Sequence, residues 1–483
     1  MKHLMRAFAV ALLMVISAGV TFYITQMRSR PDLAPWHTAA LQAEYNAATA
    51  RGIQDLDAYR KLEDGLFRQL NDQVYRQTQT DPQLRWNRFQ PASWSNPDRF
   101  SVNWNRTFEL TADRPTAGFL MLHGLSDSPY SMRALAQRLH REGALVVGLR
   151  LPGHGTAPAG LTHVDWHDWR GAVRLAARHL AAKLGSDRPL YLVGYSNGAA
   201  LALEYTLSVI EGEDLPRTAG LLLLSPAVAV SPVAVLARWQ LWLSRLPGLE
   251  KLAWLSIQPE YDPYKYNSFP VNAGFQIYRL TNAVAQRLKK LDSGNGVPGF
   301  PPVLVFQSVL DATIPPQAVV DALLSRLAPN NHRLVLFGVN RKAETAALFT
   351  ADPQGEIDAL FARPLPFDLT LVTNRTPEST ALAARHKPAL QAVFTETRLG
   401  LAWPRGIYSL SHVAIPFPPD DPIYGLGDQE DEDKGLTLGN VELRGERAAL
   451  QIPIGNLMRL RYNPFFGYME QQILERYVAK DDR

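Results

Sequence analysis

The sequence predicts an α/β fold: a doubly wound, mostly parallel sheet with a helical cap insertion, preceded by a helical extension at the N-terminus. Three observations point there. Six short apolar runs, "TAGFLMLHG", "GALVVGLRLPGHG", "RPLYLVGYS", "AGLLLLSPA", "PPVLVFQSVLD" and "HRLVLFGVN", alternate with helical stretches. Such near-continuous runs suit strands buried on both faces, and the helices between them supply the crossovers that parallel pairing needs. A detour of about seventy residues then separates the fourth run from the fifth, too long for an ordinary connection. Lastly, "VGYSNGAALALEY" sets Ser196 between a strand and a helix, with glycines two residues to either side.

The first element is the N-terminal stretch 1–30, "MKHLMRAFAVALLMVISAGVTFYITQMRSR". Its uncharged run from Ala7 to Thr25 nearly spans a bilayer core at about 1.5 Å per residue. A cleaved signal peptide is the rival, since Ser17, Ala18 and Gly19 offer small residues for cleavage. The run continues past them through Phe22, Tyr23 and Ile24, which favours an uncleaved single-pass anchor. Lys2 and Arg6 before the span balance Arg28 and Arg30 after it, so orientation is weakly specified. The expectation is an N-terminus inside and the bulk of the chain exported to the periplasmic or extracellular side.

From 31 to 100 the pattern is helical. Ile53, Leu56, Tyr59, Leu62, Leu66, Leu70 and Val74 form one apolar stripe that should pack on the main body or line a neck above the membrane. Around "PASWSNPDRF" turn-formers take over, placing a boundary near residue 100 and the main domain at 101–483. Within it, the detour at about 231–296 reads as a helical lid. Val235, Trp239, Trp242, Leu243 and Leu246 share a helical face there, and "PEYDPYKYNSFP" adds an aromatic loop. Trp239, Trp242 and Leu243 are the candidate substrate-binding residues.

Bulk composition excludes several classes. Of 483 residues 46% are hydrophobic and 20% charged, as in a globular protein with a large core that exceeds the usual length of one domain. Fifty basic against 46 acidic residues leave no nucleic-acid footprint. The absence of cysteine rules out disulfides, thiolate metal sites and a cysteine nucleophile. Nothing calls for a metal or an organic cofactor. The one charge run, "DQEDEDK" at 428–434, reads as a solvated loop.

A serine hydroxyl is a poor nucleophile, so it needs a base, an orienter for that base, and donors for the oxyanion formed on attack. The corner at Ser196 meets the geometric requirement. Strand "RPLYLV" and helix "NGAALALEYTLSVIE" nearly collide there, and Gly194 and Gly198 leave room. The helix beginning at Asn197 aims its free amides at the same spot, so the Asn197 N–H is one candidate oxyanion donor. The other is the Leu125 amide, in "MLHGLSDSPYS" after the first strand. Each donor is worth about 3 to 4 kcal/mol in the transition state. His123 in this loop reads as a structural brace.

Asp311 ends the strand "PPVLVFQSVLD", on the rim where sites of open α/β sheets lie. A helix-capping aspartate is the alternative. Downstream stand three histidines. His332 begins a strand at the end away from the rim, His386 lies in "STALAARHKPAL", read as a polar helix, and His412 follows a short alternating strand in "GIYSLSHVAIPFPPDDPIYG". His412 is the candidate base.

With these residues in hand, the sequence resembles the α/β-hydrolases, and among them the monoacylglycerol lipase and lysophospholipase group of serine esterases. The matching segments are "LHGLSDSPYSMR", "LRLPGHGTAP", "VDWHDW", "VGYSNG" and "VLDATIPP", covering about 105 to 315. The resemblance implies a catalytic triad of Ser196, Asp311 and His412, acyl-enzyme hydrolysis of an ester with a lipid-like chain, and no cofactor. It also implies that His154, Trp166 and Trp169 shape the core. One departure stands out. In ordinary members the histidine follows the acid's strand by a few dozen residues, but "LVLFGVNRKAE" has Asn340 and Arg341 there, so an insertion at about 341–400 precedes the base. Amide, thioester or acyl-transfer chemistry would use the same residues, and a non-catalytic membrane-tethered binding protein on a hydrolase scaffold is the rival of another class. The oligomeric state is not legible.

Overall fold

Each of the six apolar runs is a strand. The computed structural model describes residues 2–78, 85–229, 238–342, 353–427, 437–439 and 454–478. The runs become β2 (Gly118–Leu122), β3 (Leu145–Leu149), β4 (Leu190–Tyr195), β5 (Gly220–Leu224), β8 (Val303–Ser308) and β9 (Arg333–Phe337), with β1 (Phe108–Leu110) ahead of them. They lie in one ten-stranded sheet in the order β1-β3-β2-β4-β5-β8-β9-β10-β11-β12, in which β10 (Asp368–Asn374), β11 (Ala381–Lys387) and β12 (Thr395–Ala402) come from the later chain. Pairing is parallel from β3 to β10 and antiparallel at β1, β11 and β12.

Why the runs are apolar throughout is visible in β2. Leu120 and Leu122 face one core, with Trp169, Leu203 and Leu280, while Phe119 and Met121 face another, with Met132, Leu135 and Met469. Successive side chains point to opposite faces, so a strand covered on both sides has no polar positions to spare. The first core is roofed by helices α4 (Trp166–Leu184), α5 (Asn197–Ile210) and α7 (Val271–Leu291). The second is roofed by α3 (Tyr130–Arg141) and by α9 (Phe466–Tyr477), the last helix among the described residues. The fold is thus the doubly wound α/β architecture expected.

The N-terminal stripe packs on the main body. Helix α2 (Leu56–Leu70) is capped by Asp55, whose carboxylate accepts the Ala58 amide at 2.7 Å, and it buries Leu56, Tyr59, Leu66 and Leu70. Tyr59 donates to the Arg150 carbonyl at 2.7 Å. Glu63 of α2 and Glu44 of the segment before it both grip the fully buried Arg150 guanidinium at 2.8 Å, tying the extension at two points to the end of β3. Ahead of this, α1 (Lys2–Arg28) holds one span, Phe8–Arg28, that is long and apolar enough to cross a membrane and is not covered by the rest of the chain.

The cap runs through α6 (Arg238–Leu243), a two-stranded ribbon of β6 (Trp254–Ser256) and β7 (Phe269–Pro270), and α7; Val235 lies outside the described residues, as does the charge run at 428–434. The cap is fastened to the end of α1. Lys251 Nζ donates to the Arg30 carbonyl at 2.7 Å and pairs with Asp32, and Arg30 donates to the Trp254 carbonyl at 2.6 Å.

Two local expectations are corrected in the later chain. Residues 381–387 are β11 rather than a helix: paired with β10 on one side and β12 on the other, the alanine-rich segment follows the sheet, not its own helix propensity. Before His412 there is no alternating strand but a single bridge from Val339 to Ser409, and His412–Ala414 form a 3-10 turn. That bridge explains the delayed histidine. The chain leaves the sheet at Asn340, adds α8 (Gln354–Ala362) and three strands, and returns where it left, with the Asn340 amide donating to the Tyr408 carbonyl at 2.8 Å.

Candidate active site

Ser196 stands between β4 and α5 with φ +51° and ψ −110°, a left-handed backbone that costs a non-glycine residue about 1–3 kcal/mol. The surrounding structure enforces it. The Ser196 amide donates to the Leu224 carbonyl of β5 at 2.9 Å, and its own carbonyl accepts from Ala199 and Ala227, both at 3.1 Å. The flanking glycines are obligatory: a Cβ on Gly194 would sit 2.4 Å from Ala199, and one on Gly198 would sit 2.0 Å from the Leu122 carbonyl oxygen. Strand and helix are therefore in contact through bare backbone, as the small-residue pattern requires. Asn197 opens α5, so its amide lacks an intrahelical acceptor. Leu125 follows β2 on the same rim, half-buried.

The rim loop is braced from below by an imidazole. His123 is wholly buried, its Nδ1 2.8 Å from the Gly124 carbonyl and its Nε2 accepting the Leu151 amide at 3.0 Å. Burial holds its pKa well below the ordinary value, with His154 beside it acting in the same direction. Both nitrogens are committed, one donating and one accepting, so the ring is a neutral strut. His154 is buried too, its pKa pushed down to about 3 by burial, and Trp169 donates to the Pro152 carbonyl at 2.9 Å.

Asp311 follows β8 and is buried. One carboxylate oxygen accepts the amides of Thr313 and Ile314, each at 2.9 Å, and the other accepts Gln307 Nε2 at 2.9 Å. That second oxygen also lies 2.7 Å from His412 Nδ1. Burial pushes the Asp311 carboxyl up, but the His412 hydrogen bond and charge, with the two amides, outweigh it and hold the group below its usual value. Facing an ionised Asp311, Nδ1 is the donor of this pair.

The structure joins Asp311 and His412 directly and brings Ser196 to the same rim. Tyr195, its neighbour, has its ring 5.5 Å from the His412 ring and its hydroxyl 3.4 Å from the His412 carbonyl. Among the described residues no hydrogen bond links the Ser196 hydroxyl to the imidazole. The other histidines are occupied elsewhere: His332 bridges the Val303 amide and the Ala328 carbonyl at the opposite end of the strands, and His386 meets Thr370 within the sheet. Trp239 and Trp242 stand exposed on α6, with the Trp239 ring 5.6 Å from Tyr23 of α1, and Leu243 is half-buried beside them.

A cavity of about 220 Å³ borders the site. Ser126, next to Leu125, and Val413, next to His412, form part of its wall; Ser196 does not. Lys265 comes from the cap, and Arg459 and Arg461 from the C-terminal segment. Neither these cations nor Gln307 emerge from the motifs. Gln307 had a signal, as the lone amide of an apolar strand four residues before Asp311, whereas Arg459 and Arg461 lie far along the chain in a stretch without pattern.

Comparison with known proteins now bears on this geometry. The family model described as Hydrolase_4, serine aminopeptidase S33, matches residues 113–338, which include Ser196 and Asp311 but not His412. A thermostable monoacylglycerol lipase from Bacillus sp. (strain H-257) is 27% identical over 205 residues, 42% of this chain and 74% of that protein. The phospholipase YtpA of Bacillus subtilis (strain 168) is 27% identical over 119 residues, 25% of this chain and 44% of that protein. A solved structure of the metagenome-derived lipolytic enzymes LipS and LipT is 24% identical, with a TM-score of 0.39, across 49% of this chain and 88% of that one. With its own sheet topology and the strained serine corner, the chain is a serine hydrolase of the α/β-hydrolase fold.

Proposed function

We propose that this serine ester hydrolase cleaves carboxylic esters of lipid-like acyl chains at a membrane surface, through Ser196, Asp311 and His412. The observation that carries the reading is the 2.7 Å contact between His412 and a buried, ionised Asp311, on the rim where Ser196 is held in a left-handed corner. His412 Nε2 takes the hydroxyl proton as Ser196 Oγ bonds to the acyl carbon, and the amides of Leu125 and Asn197 receive the oxyanion. The imidazolium, steadied by Asp311, returns its proton to the leaving alkoxide, and the C–O ester bond breaks. Water then repeats the sequence on the acyl-serine, releasing a carboxylic acid and restoring Ser196.

The lipid assignment rests on placement as well as on the lipase and phospholipase relatives. Helix α1 serves as a single-pass anchor, with the catalytic body on the exported face. Its clamp to the cap through Lys251 and Arg30 sets the exposed Trp239, Trp242 and Leu246 beside the span, where aromatic side chains favour a membrane–water interface.

The matched family's description as a serine aminopeptidase raises the chief alternative. An aminopeptidase has to hold a substrate ammonium, whereas the cavity beside this site sets Lys265, Arg459 and Arg461 against one lining carboxylate, Asp262, which Arg461 already engages. Assay against nitrophenyl esters of increasing chain length and an aminoacyl nitroanilide decides between them. Ester turnover, with fluorophosphonate labelling of Ser196, is expected; faster cleavage of the anilide overturns the ester reading.

A further inference from the structure

We infer that strand β12, the free edge of the sheet, is an interface with a second copy of this chain. The two β12 strands pair antiparallel about a two-fold axis at Thr397 and join two ten-stranded sheets edge to edge. This pairing does not depend on the ester chemistry proposed above.

Strand β12 ends the sheet on one side, and among the described residues nothing pairs with its outer edge. Its eight residues leave a row of backbone N–H and C=O groups open, a template for another strand. The opposite end of the sheet offers no such template, because β1 is three residues long and half-buried. One usable edge per chain closes the assembly at two copies instead of propagating a filament.

The order of side chains along β12 selects both the partner and the register. Leu399 and Leu401 lie half-buried against the second core, so Thr395 and Thr397 share their face, while Glu396, Arg398 and Gly400 occupy the other. The bulge between β11 and β12 does not disturb this alternation, which the exposure pattern keeps to the end of the strand. A two-fold axis normal to the sheet leaves each residue on its own face, so it has to pass through a residue and not between two. Centred on Glu396 or on Arg398, it would set like charges directly opposite. Centred on Thr397, it sets Glu396 opposite Arg398 of the partner subunit, twice by symmetry, and threonine opposite threonine, a favoured cross-strand pair. Arg398 has no carboxylate at ion-pair distance among the described residues of its own chain, and the second copy supplies one. Glu396, already 3.0 Å from Arg385 of β11, then lies between two guanidinium groups.

The apolar residues obey the same register. Phe394, 45% exposed just ahead of the strand, stands on the Glu396 face with its ring 5.8 Å from the Arg385 guanidinium. It falls opposite Gly400 of the partner subunit, and a Cβ on that glycine would have nothing within 4 Å. An aromatic ring laid across the ladder over an edge glycine supplies the packing that glycine lacks. Since each of these pairs joins the strand to its own sequence, the fitting partner is the chain itself.

The chain has no cysteine, so a single introduced one reports the register without background. Full-length Thr397→Cys in neutral detergent should be cross-linked to a dimer by a short bismaleimide at least about tenfold faster than Thr395→Cys, whose two copies stand about 14 Å apart in this register. Light scattering of the wild type should give twice the protein mass of one chain, falling toward one as salt rises. Arg398→Glu alone and Glu396→Arg alone each set like charges opposite and should be monomeric where the wild type is a dimer. An equimolar mixture of the two should restore the dimer, because every opposite pair is then unlike. Both positions are exposed, so urea midpoints of the variants should stay close to the wild type's. A monomeric wild type, a dimer indifferent to both charge reversals, a mixture that stays monomeric, or equal cross-linking at 397 and 395 overturns the inference.

Discussion

Ser196 and Asp311 sit at the ends of strands whose sequence repeats a simple rhythm, whereas His412 arrives after three strands that break it. The segment matched by the family model, 113–338, holds the proposed nucleophile, acid and oxyanion donors; the later chain supplies the proposed base and two of the three cations at the neighbouring cavity. In the proposed mechanism one region carries the attack and the other completes it. The junction is physical. Asn340 and Tyr408 are hydrogen-bonded, and Ser308 at the end of β8 donates to the Leu410 carbonyl at 2.7 Å, so whatever is built between 341 and 407, the imidazole is delivered to the same rim. Extra strands can be added at a sheet edge without moving the site, because the loop's two ends are pinned to each other.

The division is broken most severely at its catalytic ends. Ser196→Ala and His412→Ala should each lower kcat by about 10⁴–10⁶-fold and abolish fluorophosphonate labelling, while His332→Gln and His386→Gln leave labelling intact. If His412→Ala still labels, the base does not come from the later region. Asp311→Asn should follow at about 10⁴-fold, because an amide no longer fixes the imidazole tautomer, although its remaining carbonyl oxygen can still accept the two turn amides that hold the loop.

Asp421 tests whether the later region must be docked for the site to exist. Its carboxylate is buried and accepts the Tyr130 hydroxyl at 2.8 Å, Arg133 at 3.0 Å, and the amides of Ile423 and Tyr424. It joins the loop after His412 to helix α3 of the matched region. Asp421→Ala leaves Arg133 without its anion and should cost about 3 kcal/mol in urea unfolding, together with a fall in kcat. A variant as stable and as active as the wild type would mean that the bonds before His412, from Val339, Asn340 and Ser308, hold the histidine loop without Asp421.

The same contrast decides what could be read from sequence. Strands β2 to β5, β8 and β9 announce themselves because both faces are buried, and the serine corner is legible because only glycine fits two residues to either side of it. Strand β12 is an edge, with Thr395, Glu396, Thr397 and Arg398 exposed, so it has polar residues where a buried strand has none. Strand β11 reads as a helix because alanine favours one, and only pairing with its neighbours, fixed far away in the chain, decides otherwise. His412 stands out in the sequence as the candidate base because His332 opens a strand at the wrong end, whereas His386 is set aside there on a helix reading that the strand pairing corrects. The cations of the cavity were not, because Lys265, Arg459 and Arg461 converge only through tertiary packing.

The smallest effect separates the imidazole at the rim from one that serves structure. His332 is buried, and burial lowers its pKa from 6.5 to about 4, so the folded state keeps it neutral between the Val303 amide and the Ala328 carbonyl. A base with a depressed folded pKa contributes stability in full above its unfolded value, and loses it as the pH falls toward the folded one. Native stability should therefore decline between pH 6.5 and 4, with His332 accounting for about 2–3 kcal/mol of the fall at one pKa unit per 1.4 kcal/mol. Urea midpoints across that range should show His332→Gln less stable than wild type at neutral pH and flatter toward acid, with turnover at neutral pH retained. Parallel slopes in the two proteins would mean that His332 is not the neutral strut its contacts describe, and that the acid lability arises at other buried histidines of the matched region, His123 and His154.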